Sequence, residues 1–174
     1  MNSAPTNASD REALQKLREM VRDIEVAMVT TVTPDGALRS RPMFTRQFEQ
    51  DGAIWFFTSD DSGMADDLSA EHAVNVSYAD PKHHRYISVT GNATVFRDPD
   101  KARELWSPML NAYFPRGLEE PHLALLRVLV DTAEYWDAAS TSMINLFRST
   151  AEPAAPRPET HSVKVPVRAV PGSG

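Results

Sequence analysis

Two arginines spaced two apart, Arg39 and Arg41 in GALRSRPMFTR (residues 36–46), are the residues whose type and spacing most invite chemistry. The segment alternates like a strand, so Arg39, Arg41 and Met43 share one face while Ser40, Pro42 and Phe44 share the other. Two residues of rise set the arginines about 7 Å apart. Guanidinium is a planar fork suited to phosphate and carboxylate oxygens, so the pair either clamps an anion or pairs with acidic side chains across a sheet. A second anion-friendly feature follows in FTSDDSG (residues 57–63), where Thr58, Ser59 and Ser62 offer hydroxyls and Asp60, Asp61 or Ser62 caps a helix. A helix N-terminus beside the arginine strand is expected to complete an anion site.

Other chemistries find little support. GxGxxG, GxxxxGK[ST], HExxH and GxSxG motifs are absent. The absence of cysteine excludes disulfides, thiolate-bound zinc and thiol catalysis. His83-His84 is the one histidine cluster, and neighbours on a strand diverge, so an exposed turn is expected there and no metal. The Asp60-Asp61 and Asp66-Asp67 pairs read as solvated acids compatible with the helix dipole. A net charge of −6 and a pI near 5.3 disfavour nucleic acid or an anionic membrane as partner. There is no basic-then-apolar leader and no apolar run long enough to span a bilayer, so a cytoplasmic protein is expected.

The elements that must position these residues follow from periodicity. At 174 residues the chain is most simply one domain. Residues 1–8 are small and polar, a disordered leader by composition. From Ser9, Leu14, Leu17, Met20, Val21 and Ile24 recur at helical spacing. VAMVTTVT (26–33), Pro34-Asp35-Gly36 and GALRSRPMFTR spell a hairpin, with Pro42 marking an edge or a bulge. Gln50-Asp51-Gly52 turns into AIWFFTS (53–59), predicting a three-strand meander. Further strands are expected at 73–78, at 86–97 with an interruption at Gly91, and at 123–136. A helix is expected after Asp98, and a turn or two of helix within 140–147. Six strands joined mostly by tight turns favour a mainly β fold, a small antiparallel barrel with helices at its openings, over residues 9–149. The last 24 residues carry five prolines and read as a tail in which only 163–167 suits an edge strand.

ALRSRPM, GAIWFFTSDDSGMADDL, VNVSYADP and YISVTGNATV, with WSPMLNAYFPRG and AEYWDA downstream, resemble the flavin-binding split-barrel superfamily that contains pyridoxamine 5′-phosphate oxidases. The likeness is greatest to its bacterial general stress protein branch and covers about residues 10–148. The resemblance implies a homodimer of six-stranded split barrels with FMN, or alternatively FAD, at the subunit interface. It assigns Arg39 to the flavin phosphate. Ser40, Arg41, Pro42 and Met43 would line the cofactor partly through backbone groups. Phe57, Thr58 and Ser59 match the next strand end; Ser62 matches a phosphate ligand, with Gly63 and Met64 beside it. Tyr86 matches a flavin-contacting position. Trp106 and Trp136 match tryptophans of the branch, Trp136 being the one to approach the cofactor from the neighbouring chain; core packing is the alternative for both.

Two departures matter. Met64 stands where the family usually has a phosphate-binding lysine, and Phe44 where the oxidases have another. A lost charge-assisted bond costs about 1.5–3 kcal/mol, roughly tenfold to a hundredfold in affinity. Arg41 is expected to compensate by facing the phosphate. The tail lacks an Arg-rich substrate motif, so pyridoxamine phosphate is not the expected substrate. A flavin-dependent oxidoreductase reduced by NAD(P)H or a small organic donor is expected, with no catalytic acid or base assigned. The alternatives are a non-catalytic flavin carrier and a haem-binding barrel using His83 or His84.

Overall fold

The computed structural model describes residues 8–137 and 161–164. Helix α1 (Ala8–Val21) opens the chain. Its Leu14, Leu17, Met20 and Val21 are buried in the main core, as the spacing demands. Strands β1 (Val26–Val32) and β2 (Leu38–Phe44) form the expected hairpin, with Val29 opposite Arg41 and Thr31 opposite Arg39. Gly36 takes φ +84 in the turn, where a side chain would be strained. β2 lies at the end of the sheet, which explains why Pro42 is tolerated.

The three-strand meander is not what forms. The chain breaks after β2 at Thr45-Arg46, and only the two residues of β3 (Gln47–Phe48) pair with β4 (Ala53–Ser59). Along its whole length β4 pairs instead with β7 (Leu123–Trp136). With β5 (Ala73–Asp80) and β6 (Arg85–Phe96), the order is β2-β1-β5-β6-β7-β4-β3. The sheet curls until its two ends meet, and the Arg46 N–H donates to the Trp55 carbonyl at 2.8 Å across the closure. All consecutive pairings are antiparallel. Of the edge strand expected at 163–167, Val163 and Lys164 fall in β8 (His161–Lys164), which pairs with β7; 165–167 and the helical turns expected in 140–147 lie outside the described residues.

Two apolar clusters hold this frame. Inside the barrel, Val29, Ile54, Phe56, Val76, Val89 and Val128 pack under α1. Outside it, Trp55, Phe57 and Leu125 pack under α3 (Pro99–Leu105) and the loop that follows. Asp98 caps α3 by accepting from the backbone N–H groups of Asp100 and Lys101. Covering β4 on both faces buries six of its seven residues, which accounts for its unbroken apolar run.

The interruption at Gly91 is a register shift in the β6–β7 ladder. A Cβ there would collide with the carbonyl oxygen of Leu129 and stand 3.1 Å from Val128 Cγ1. Gly91→Ala is therefore expected to cost about 1–3 kcal/mol in urea unfolding; an unchanged midpoint would show that the bulge is not locked.

Candidate functional site

Helix α2 (Gly63–Ala70) starts directly beyond β4. Of the three candidate caps, Ser62 serves: its Oγ accepts from the Ala65 N–H at 3.3 Å and lies 3.4 Å from Thr58 Oγ. The helix start is brought against the arginine strand by barrel closure, since β2 and β4 share no ladder. A Cβ placed on Gly63 would lie 3.6 Å from both Arg39 Nη1 and Arg41 Nη2. Two guanidiniums and the first turn of α2 thus converge on one glycine.

The partner that holds them there is Asp67, which sequence reading left on a solvated face. Asp67 is 2% exposed. Its Oδ2 accepts from Arg41 Nη2 at 2.9 Å and from Thr31 Oγ1 at 2.7 Å, while Arg41 Nη1 reaches Thr31 Oγ1 at 2.8 Å. Arg39 Nη1 stands 3.9 Å from Asp67 Oδ1. Burial, the strongest single influence, pushes the Asp67 carboxyl up. The hydrogen bonds from Thr31 and Arg41, with the charges of Arg41 and Arg39, outweigh it and hold the carboxyl below its ordinary value. It remains an anion at neutral pH.

The two arginines are consequently unequal. Arg41, 25% exposed, is committed to Asp67 and Thr31 and does not supply the charge missing at Met64. Arg39 is 55% exposed and, among the described residues, its guanidinium makes only the long ion pair, so it is the one with donors to offer.

The remaining expected residues divide into groups. Ser40 and Pro42 point outward, Ser40 Oγ lying 2.8 Å from Thr30 Oγ1; Met43 packs against the main core. Met64 is 2% exposed and also turns into that core, so its side chain offers the site nothing. Phe57 is buried edge-on against Trp106, with centroids 5.3 Å apart, which gives Trp106 a packing role. Ser59 Oγ bonds the Asp61 carboxylate. Tyr86 and Trp136 are cross-strand partners. They alternate with buried Ile87 and Tyr135, which places them on the outer face, Tyr86 on the third strand from β2 and Trp136 on the fourth, at least about 14 Å away across the sheet. One chain therefore does not bring them to the arginines.

Beside the α2 start lies a cluster that sequence reading missed. His122 Nδ1 is 2.9 Å from Asp60 Oδ1, and its Nε2 is 3.7 Å from Asp61 Oδ2. Arg97 donates to the other Asp60 oxygen, making an exposed ion-pair network. His83 and His84 sit on an exposed turn as expected, with His83 Nδ1 2.6 Å from Asp80 Oδ2.

The donors suit a phosphorylated ligand. Arg39, the Ser62 and Thr58 hydroxyls and the free N–H groups that open any helix suit a phosphate. Among the described residues no strand covers the outer edge of β2, leaving its backbone groups open to a ligand or solvent.

A curled antiparallel sheet with few helices is a split barrel. A family model described as "Pyridoxamine 5′-phosphate oxidase like" matches residues 12–154, and the chain belongs to that family. Protein bli-3 of Neurospora crassa is 32% identical over 126 residues, 67% of this chain and 59% of that protein, so the match spans under two thirds of the relative. The general stress FMN/FAD binding protein of Xanthomonas citri is 31% identical, with a TM-score of 0.62 over 73% of this chain and 89% of that one. A Clostridium acetobutylicum protein related to general stress protein 26 shares the fold at a TM-score of 0.68 over 89% of this chain and 96% of its own, with 15% identity.

Because the Asp67 carboxyl is held below its ordinary value of 3.8, its stabilisation is present above that value and lost as pH falls through the lowered one. Asp67→Asn should be about 1–3 kcal/mol less stable than wild type at pH 7. The gap should shrink as the solution is taken below pH 3.8. Denaturant titrations across pH measure both, and a constant gap would remove the carboxylate from this role.

Proposed function

We propose that the chain binds a phosphorylated flavin, FMN or FAD, with its phosphate between Arg39 and the start of α2. The convergence of both guanidiniums on Gly63 carries this reading. Family membership and the likeness to a protein described as binding FMN or FAD support it. The protein's part is binding, orientation and charge; the flavin, when bound, supplies reversible hydride and electron transfer. A flavin-dependent oxidoreductase drawing on NAD(P)H or a small organic donor is the activity that fits.

The working unit is a homodimer. Val26, Met28 and Leu38 are 40%, 41% and 75% exposed on the outer face of the β1–β2 hairpin, an apolar surface suited to a second copy. Tyr86 and Trp136, on the outer face away from their own chain's arginines, then become available to the flavin of the partner.

Arg39→Ala is expected to weaken FMN and FAD binding at least tenfold, about the worth of one charge-assisted bond. It should change stability by no more than about 0.5 kcal/mol, because the ion pair it breaks is long and half-exposed. Flavin fluorescence titration alongside urea unfolding measures the two effects. Equal loss in both would return Arg39 to a structural role, and failure to bind either flavin would overturn the reading.

A further inference from the structure

Asp67 also fixes how much negative charge the phosphate pocket accepts. Arg39 and Arg41 bring two positive charges, and buried Asp67 cancels one of them. Met64, next to Gly63 at the helix start, adds no charge, and its side chain lies in the core. Among the described residues, the other charged groups around the pocket add no spare cation. On the β1–β2 turn, Asp35 feels Arg39 closely enough for that charge to help hold its carboxyl low, behind the larger influence of its bond from Thr33. Ahead of α2, Asp61 lies near His122, and Asp60 takes up Arg97. On α2, Asp66 is exposed in the first turn. A ligand with one negative charge per phosphate is matched here. A second charge on the same phosphate would face carboxylates.

We infer that the pocket is built for a phosphodiester, as in FAD, in preference to the doubly ionised terminal phosphate of FMN, with Asp67 as the positioning residue that sets this selectivity. The inference rests on the flavin reading above and deepens it. A phosphate monoester carries about −1.5 to −2 at pH 7, its second pKa lying near 6, whereas each phosphate of a dinucleotide carries a single charge throughout this range. The pocket is also open at the phosphate end: Arg39 is 55% exposed and Gly63 is exposed, so a chain continuing beyond the first phosphate has a way out. Arg41 is bound into the Asp67–Thr31 network and cannot turn to meet a second charge without breaking it.

The experiment is a pair of titrations of the full chain with FMN and FAD from pH 5.5 to 8, read as the ratio of dissociation constants. Taking the ratio cancels effects that act equally on both ligands. FAD should bind at least as tightly as FMN at pH 8. The FMN-to-FAD ratio of Kd should rise about tenfold or more from pH 5.5 to 8, as FMN passes its second ionisation near pH 6. Asp67→Asn, which keeps the shape and removes the charge, should shift the ratio toward FMN and flatten its rise. Should that variant fail to fold, the wild-type pH series decides alone. Tighter FMN than FAD binding at pH 8, a flat ratio, or a folded Asp67→Asn protein with the wild-type ratio would each overturn the inference while leaving flavin binding intact. Binding of neither flavin would overturn both.

Discussion

A single buried carboxylate ties the two halves of the site together. Asp67 sits on the inward face of α2, 2% exposed, and accepts from Thr31 of β1 and Arg41 of β2. A charge so placed is costly unless paired and hydrogen-bonded, so α2 cannot leave the β1–β2 hairpin without stranding it. The same bond that docks the helix aims Arg41 at the helix start, and Arg39 follows because it shares the strand face. The docking of α2 and the placement of both guanidiniums therefore rest on one interaction.

The barrel makes that interaction possible. β2 and β4 stand apart in the ladder order, yet the curl of the sheet brings the strand with the arginines against the helix that leaves β4. The curl is shaped by the Gly91 bulge in the β6–β7 ladder and closed by β3, a pairing of only two residues. Apolar burial on both sides of β4 fixes where α2 must begin. A weakly paired seam beside a tightly packed wall is a sound place for a ligand, since open backbone groups adjoin rigid support.

Much of this was legible in the residues. The β1–β2 hairpin, the Asp98 cap, the Gly91 interruption and the long β7 strand all follow from periodicity and turn chemistry, which act over neighbouring residues; for α2 they narrow the cap to Asp60, Asp61 or Ser62. Placing β4 beside β2 failed, because a turn at Gln50-Asp51-Gly52 specifies β3–β4 contact but not where the rest of β4 pairs. Asp67 was hidden for a related reason. In the sequence it belongs to an acidic run that resembles any solvated helix face, and only its two partners, 26 and 36 residues away, draw it inward. Its spacing of three from buried Met64 was the available signal, since positions three or four apart share a helix face. The outward aim of Tyr86 and Trp136 was present in strand alternation; the strand order that separates them from the arginines was not.

The account stands on a phosphate held between Arg39 and the first turn of α2. Backbone amide NMR during addition of FMN, FAD and phosphate-free riboflavin addresses that contact directly. The Gly63 and Met64 amides and the Arg39 Nε–H should move with either phosphorylated flavin and stay in place with riboflavin. Identical shifts with all three ligands, or no shift at these groups when a phosphorylated flavin is bound, would contradict it.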